Sequence, residues 1–285
     1  MRTDKINSFF DLTQDRVSWD RYILFRKVFY GLLILLSVIN LFDLEAFYGI
    51  DSFVYKEDVA FTNFTYYLLN VLSVPMFKNA YWFFAIAQII CLLLSYFNKF
   101  HQVLSILIWF LTVNLINRAG IIFTGGEVLV KMLLFLMIFI QVPKPNYSSE
   151  LNRMVRNTLN NVFFAACLIQ VVFVYLFSSW FKFLDPNWLH GDAVWYISQI
   201  DSYSNSFTRS IIMEHPWIGK WSTYLALIYQ GLFPILIWFK RIKPTFLCIG
   251  VLFHLFISFG MGIFSFGMIM IVCYLLFYSP KFVSV

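Results

Sequence analysis

Read from its N-terminus, the chain alternates long apolar runs with short polar links. A mixed-charge arm over residues 1–21 leads into a first apolar run at 22–42. Further runs cover residues 81–96, 102–116, 128–142, 162–179 and 223–239. The runs are continuous, without the period-two alternation of barrel strands, so helices are predicted. Most approach the roughly 20 residues that cross a hydrocarbon core of about 30 Å. A last block at 245–278 is too long for one pass and has Gly260-Met261-Gly262 at its centre. That break predicts either two short helices, over 246–259 and 263–277, or one kinked span. The pattern therefore predicts an all-α, polytopic helical membrane protein with about six to eight transmembrane helices. They form one domain over residues 22–279, with a tail at 280–285.

The links are less uniform than the runs. Residues 43–80 carry Asp43, Glu45, Asp51, Glu57 and Asp58, with an apolar, aromatic stretch at 64–72 expected as a helix lying along the membrane. Residues 144–161 read as a polar loop, and a long hydrophilic loop is expected to run on to Lys220.

Composition strengthens this picture and adds a direction. The chain is 60% hydrophobic and 13% charged over 285 residues, against roughly half and a quarter in a soluble domain. The arm has no apolar core of its own, so the first run is expected to act as its own signal anchor. Lys and Arg in alternating links number 13 on the side of the N-terminal arm, Lys99, residues 144–156 and residues 240–243, against 6 on the other. Positive residues stay inside, so a plasma (inner) membrane protein is expected, with a cytoplasmic N-terminus and residues 180–220 outside. The same bias accounts for the net charge of +6 without nucleic acid. Cys91, Cys167, Cys248 and Cys273 fall inside apolar runs at no motif spacing and read as buried thiols.

Candidate chemistry gathers where the fifth run ends. Residues 180–196 place Lys182, Asp185 and His190 among Trp180, Phe181, Phe183 and Trp188. Interfacial Trp and a snorkelling Lys explain part of this. The functional reading is that the aromatic walls desolvate the Lys182 amine and make it a base. His254 lies midway in an apolar helix, where an ionisable group is a functional candidate by default. Its alternative role is polar glue between helices. Glu127 and Lys131, four apart on one helix, are expected to pair. Arg118, beside Asn117 and the Gly125-Gly126 turn, forms a candidate anion-holding corner. The histidines are scattered, no metal-ligand spacing occurs, and no phosphate-binding loop, dinucleotide fingerprint or nucleophile elbow is present. No metal is expected.

The sequence Lys182-Phe183-Leu184-Asp185-Pro186-Asn187-Trp188-Leu189-His190-Gly191 resembles the K-L-D-x-x-W-x-x-G segment of the vitamin K-dependent γ-carboxylase membrane domain. This is also called the horizontally transferred transmembrane (HTTM) domain. Phe25-Arg26-Lys27-Val28-Phe29-Tyr30-Gly31 resembles its F-R-x-x-x-G signature, and Gly125-Gly126-Glu127 its G-G-[DE] turn. Phe253-His254 with Ile263-Phe264-Ser265-Phe266-Gly267-Met268 resembles its late F-H…F-S-x-G-M pair. The likeness covers residues 15–280, with the motifs in the family's order. It implies the family's helical fold and an enzyme that uses a quinone/hydroquinone or another lipid cofactor to modify a peptide. Lys182 and His254 are then catalytic, with Trp180, Phe183, Asp185, Trp188 and Arg118 binding the cofactor. Phe183 stands where the carboxylases place their base, and Lys182 comes one residue earlier, about 100° away on a helix. The other class of function implied is a non-catalytic partner, beside membrane lipid, in the maturation or assembly of a secreted peptide.

Overall fold

The structure, a computed structural model, describes residues 17–49, 52, 68–74, 76–97, 101–119, 124–141 and 149–278. All regular structure among the described residues is helical. Of the 64–72 stretch expected along the membrane, residues 64–67 lie outside them, and the rest holds a short 3-10 turn at Val71–Ser73.

The helices are α1 (Trp19–Asn40), α2 (Leu44–Tyr48), α3 (Tyr81–Tyr96), α4 (His101–Arg118), α5 (Gly125–Met137) and α6 (Glu150–Phe183). They continue with α7 (Pro186–His190), α8 (Ala193–Ser198), α9 (Ser206–Glu214), α10 (Pro216–Leu236), α11 (Lys243–Leu255) and α12 (Phe264–Cys273). Among the described residues, three stretches are long and apolar enough to cross a membrane: α1, α6 and Lys243–Gly260. Tyr81–Tyr96, Gln102–Arg118 and Phe264–Leu276 are apolar but shorter.

Two expectations from polarity give way. Residues 149–161 were expected as loop, yet α6 begins at Glu150 and runs unbroken for 34 residues. Polar side chains do not end a helix; Gly, Pro and competing caps do, and no Gly or Pro occurs between Glu150 and Phe183. Glu150 and Arg153 add an ion pair at 3.1 Å in the first turn. The hydrophilic stretch after α6 is likewise a series of short helices, α7 to α9, and not a loop.

The chain forms two compact units, residues 1–123 with 130–168, and residues 124–129 with 169–285. In the first, α1 packs on α3 and α3 on α4. Their apolar faces meet around Tyr48, Leu72, Tyr81, Phe84, Leu111 and Leu115. Polar groups within this unit bond across helices, as membrane-buried ones must: Gln88 donates to the Thr112 hydroxyl at 2.7 Å and accepts from Ser37 at 3.2 Å. Arg26, the arginine of the F-R motif, is buried on α1.

The second unit contains α7 to α12 and the C-terminal half of α6. Here the long apolar block resolves into two helices. After α11 the backbone widens into one π turn, Phe256–Gly260, and reverses at Gly262, whose φ of 71° lies in the left-handed region. α12 then packs back on α11, closely at Gly267, where a Cβ would overlap the Ser258 hydroxyl and approach the His254 carbonyl to 2.5 Å. Cys167 and Cys273 are buried and Cys91 half-buried, but Cys248 on α11 is exposed, contrary to its reading as a buried thiol.

Candidate functional site

The last two turns of α6 build one side of the site. Ser178 and Lys182 are four apart, hence on one helix face. The Lys182 amine donates to the Ser178 hydroxyl at 2.6 Å, and Ser178 donates to the Gln230 side-chain oxygen on α10 at 3.1 Å. Trp188 closes this end, with its ring centroid 4.8 Å from the amine in a cation–π contact. Asp185 accepts from the Asn187 amide at 2.8 Å and caps α7, and Pro186 occupies the first helical position. Gly191 ends α7 with φ 89°, and a Cβ there would press on Tyr224, whose hydroxyl donates to the His190 carbonyl at 3.0 Å. The K-F-L-D-P-N-W-L-H-G motif is thus a helix end, a cap and a tight turn that set Trp188 over Lys182.

Beside these groups lies a cavity of about 580 Å³. Lys182, Ser178, Gln230 and Trp188 stand at one end of its lining, while Leu225, Phe246, Phe253 and Phe266 form apolar wall from α10, α11 and α12. Its size is that of a small-molecule site, roughly 300–1,000 Å³. No carboxylate pairs with Lys182 among the described residues. A cation held at the edge of an apolar cavity by neutral hydroxyl and amide groups has donor capacity left for a ligand oxygen.

His254 is buried behind this cavity and not among its lining residues. It reaches the wall through three tyrosines. Its Nε2 lies 2.7 Å from the Tyr175 hydroxyl, Tyr175 lies 2.6 Å from that of Tyr274, and Tyr274 lies 2.8 Å from that of Tyr229. Tyr229 lines the cavity with its ring packed against Phe246 and Phe253. Gly250 makes room for the chain, because a Cβ there would overlap the hydroxyls of Tyr229 and Tyr274. The His254 Nδ1 has no hydrogen-bond partner among the described residues. With the proton on Nδ1 that N–H has no acceptor among the described residues; with it on Nε2 the donor left over is the Tyr229 hydroxyl at the cavity wall. In that arrangement each group donates to the next, from His254 through Tyr175 and Tyr274 to Tyr229.

The other residues singled out by sequence fall elsewhere. Trp180 and Phe183 are exposed and do not line the cavity. Arg118 belongs to the first unit, where it donates to the carbonyls of Tyr48 at 2.7 Å and Leu72 at 2.5 Å and lies against the Tyr81 ring. Its guanidinium ties down the 68–74 segment, together with Asn114, which accepts from the Val71 amide at 2.6 Å. The Glu127–Lys131 pair does not form. Glu127 accepts from the Thr124 amide at 2.7 Å and its hydroxyl at 2.6 Å, and Lys131 donates to Asn117 at 3.0 Å. Thr124 and Glu127 form a T-x-x-E capping box, which claims the carboxylate for the helix start.

Ser178, Gln230, Tyr175, Tyr229 and Tyr274 were not singled out. For Ser178 a signal was present, its four-residue spacing from Lys182. The tyrosines carried none, because aromatic residues abound along this chain. Among the described residues no cluster of three His, Cys, Asp or Glu side chains is placed to hold a metal. Comparison with protein-family models, curated proteins and solved structures gives no match.

Proposed function

We propose that this membrane protein binds a lipid-soluble molecule with an oxygen headgroup in the cavity beside Lys182, and that it is of the HTTM, γ-carboxylase-like kind. The observation that carries the reading is the Lys182 amine, held by Ser178 and Trp188 without an acidic partner at the edge of an apolar cavity. A quinone or hydroquinone fits that chemistry: an oxygen to accept from the amine and a ring to lie among Phe246, Phe253 and Phe266. In the enzymatic form of the proposal, Lys182 acts in its neutral state: the deprotonated amine takes a proton from a bound hydroquinone and starts modification of a peptide at the outer face, the side expected for residues 180–220 from the positive-inside count. The order of the motifs along the chain supports the family assignment.

A second reading, a partner in the maturation of a secreted peptide, has one observation in its favour. The family's base position is Phe183, which is exposed and outside the cavity lining.

The test is mass spectrometry of lipids and quinones co-purified in mild detergent, wild type beside Lys182→Ala. A stoichiometric quinone that is lost in the variant, at unchanged membrane abundance, is the expected result. Ordinary phospholipid alone in both samples removes the quinone reading and leaves the partner role to pursue.

A further inference from the structure

The second unit has another cavity beside the first. This second cavity, of about 360 Å³, lies between α9, the first turns of α10 and the π turn that ends α11. Its polar lining residues are Asn205, Thr208 and Ser222, and it contains no ionisable side chain. Two of the three are engaged in holding the fold together. The Asn205 side-chain oxygen accepts from the Thr208 amide at 2.7 Å and caps α9, while its amide donates to the Phe259 carbonyl at 2.6 Å. Asn205 thereby fastens the start of α9 to the π turn. The remaining walls come from Ile211, Ile212, Leu255, Phe259 and their neighbours.

Ser222 and Phe256 line both cavities. Phe256 opens the π turn, and a Cβ on Gly260 would come within 2.8 Å of its ring. The absence of that Cβ lets the ring lie over the turn, where it stands 40% exposed between the two spaces. The first cavity thus has an ionisable group, Lys182, with Ser178 and Gln230 bonded beside it, and the second, on the other side of Phe256, has a mostly apolar wall with no ionisable group.

We infer that the two cavities receive a single elongated ligand, its oxygen headgroup at Lys182, Ser178 and Gln230 and its hydrocarbon chain passing between Ser222 and Phe256 into the second cavity. The inference rests on the ligand reading of the first cavity. A chain leaving lipid for protein gains little from the hydrophobic effect, since lipid tails are as apolar as the wall; what it gains is close packing. Preference for a chain is therefore set by how well the passage at Phe256 and the space beyond it fit.

The test uses the full-length protein in nanodiscs and two probes with one benzoquinone head, one without a chain and one carrying a decyl chain. Affinities are expressed per mole fraction in the membrane, so that partitioning does not count as binding. Wild type is expected to bind the decyl probe at least fivefold more tightly. Phe256→Trp, which narrows the passage, and Ile211→Trp, which fills the second cavity from α9, are each expected to abolish that preference and leave the chainless probe unaffected. Equal affinity of the two probes in wild type, or both tryptophan variants keeping the full preference, overturns the inference and leaves the headgroup site standing. Failure of both probes to bind overturns the ligand reading and the inference together. Displacement of the decyl probe by a decyl phospholipid, lost in Phe256→Trp, supports the chain passage and identifies a phospholipid in place of a quinone.

Discussion

Three tyrosines and a histidine share a run of buried hydrogen bonds in which every hydroxyl depends on its neighbours. Tyr175 is the middle member, bonded to both His254 and Tyr274. Tyr175→Phe keeps the ring stacked on Phe233, at a centroid distance of 3.8 Å, and removes only the oxygen. Two buried polar groups then lose a partner, and the expected cost is about 1–3 kcal/mol. It is read as a lower thermal unfolding midpoint in detergent, against Tyr196→Phe, an exposed control expected to change nothing. If Tyr175 and Tyr274 act as one chain, the double Phe variant costs less than the sum of the singles. The sequence offered Lys182 and His254 because charge in an apolar setting stands out by type. It did not offer the tyrosines, because a Tyr that spends its hydroxyl inside a network and a Tyr at the membrane surface are the same letter in the same apolar run.

At the scale of elements, the turn between α11 and α12 shows how far pattern alone reaches. Gly260-Met261-Gly262 marked the break in a block too long for one helix, leaving open two helices or one bent one. The structure has two, because Gly267 and Gly250 let the helices and the tyrosine chain approach without a Cβ between them. Gly267→Ala is therefore expected to overpack the helix pair and destabilise the protein by about 1–3 kcal/mol. Gly125→Ala, which meets only the Phe266 ring at 3.8 Å, is expected to be neutral in the same unfolding measurement. Asn205→Ala removes a cap and a fastening in one step. Faster amide hydrogen exchange over residues 205–214 and 256–260 is the expected signature, with α10 protected as before. The beginning of α6 reads as loop for a plain reason: Arg153 and Arg156 raise the polarity, and polarity reports where water is, not where a helix stops.

Across the whole molecule, the helical class and the membrane setting were legible in the apolar runs, since hydropathy and run length are the properties the bilayer selects for. The clustering of side chains was not, because it depends on which helix faces which. Orientation is the property at this scale that most needs a measurement. In a background without native cysteines, Ser202→Cys is expected to react with a membrane-impermeant maleimide added outside intact cells. Ser149→Cys is expected to react only after the membrane is opened. The opposite pattern would invert the topology and place Lys182 toward the cytoplasm.

The length of α6 has a practical use. At 34 residues it extends about 51 Å, more than the roughly 40–45 Å of a whole bilayer with its headgroups. Its first turns, where Glu150 to Met154 are all exposed, are therefore expected to reach past the detergent belt that hides most of so small a protein from an electron microscope. An antibody fragment raised against that projecting end would give each particle a visible handle with a fixed direction, and so a way to align images that otherwise show little more than a micelle.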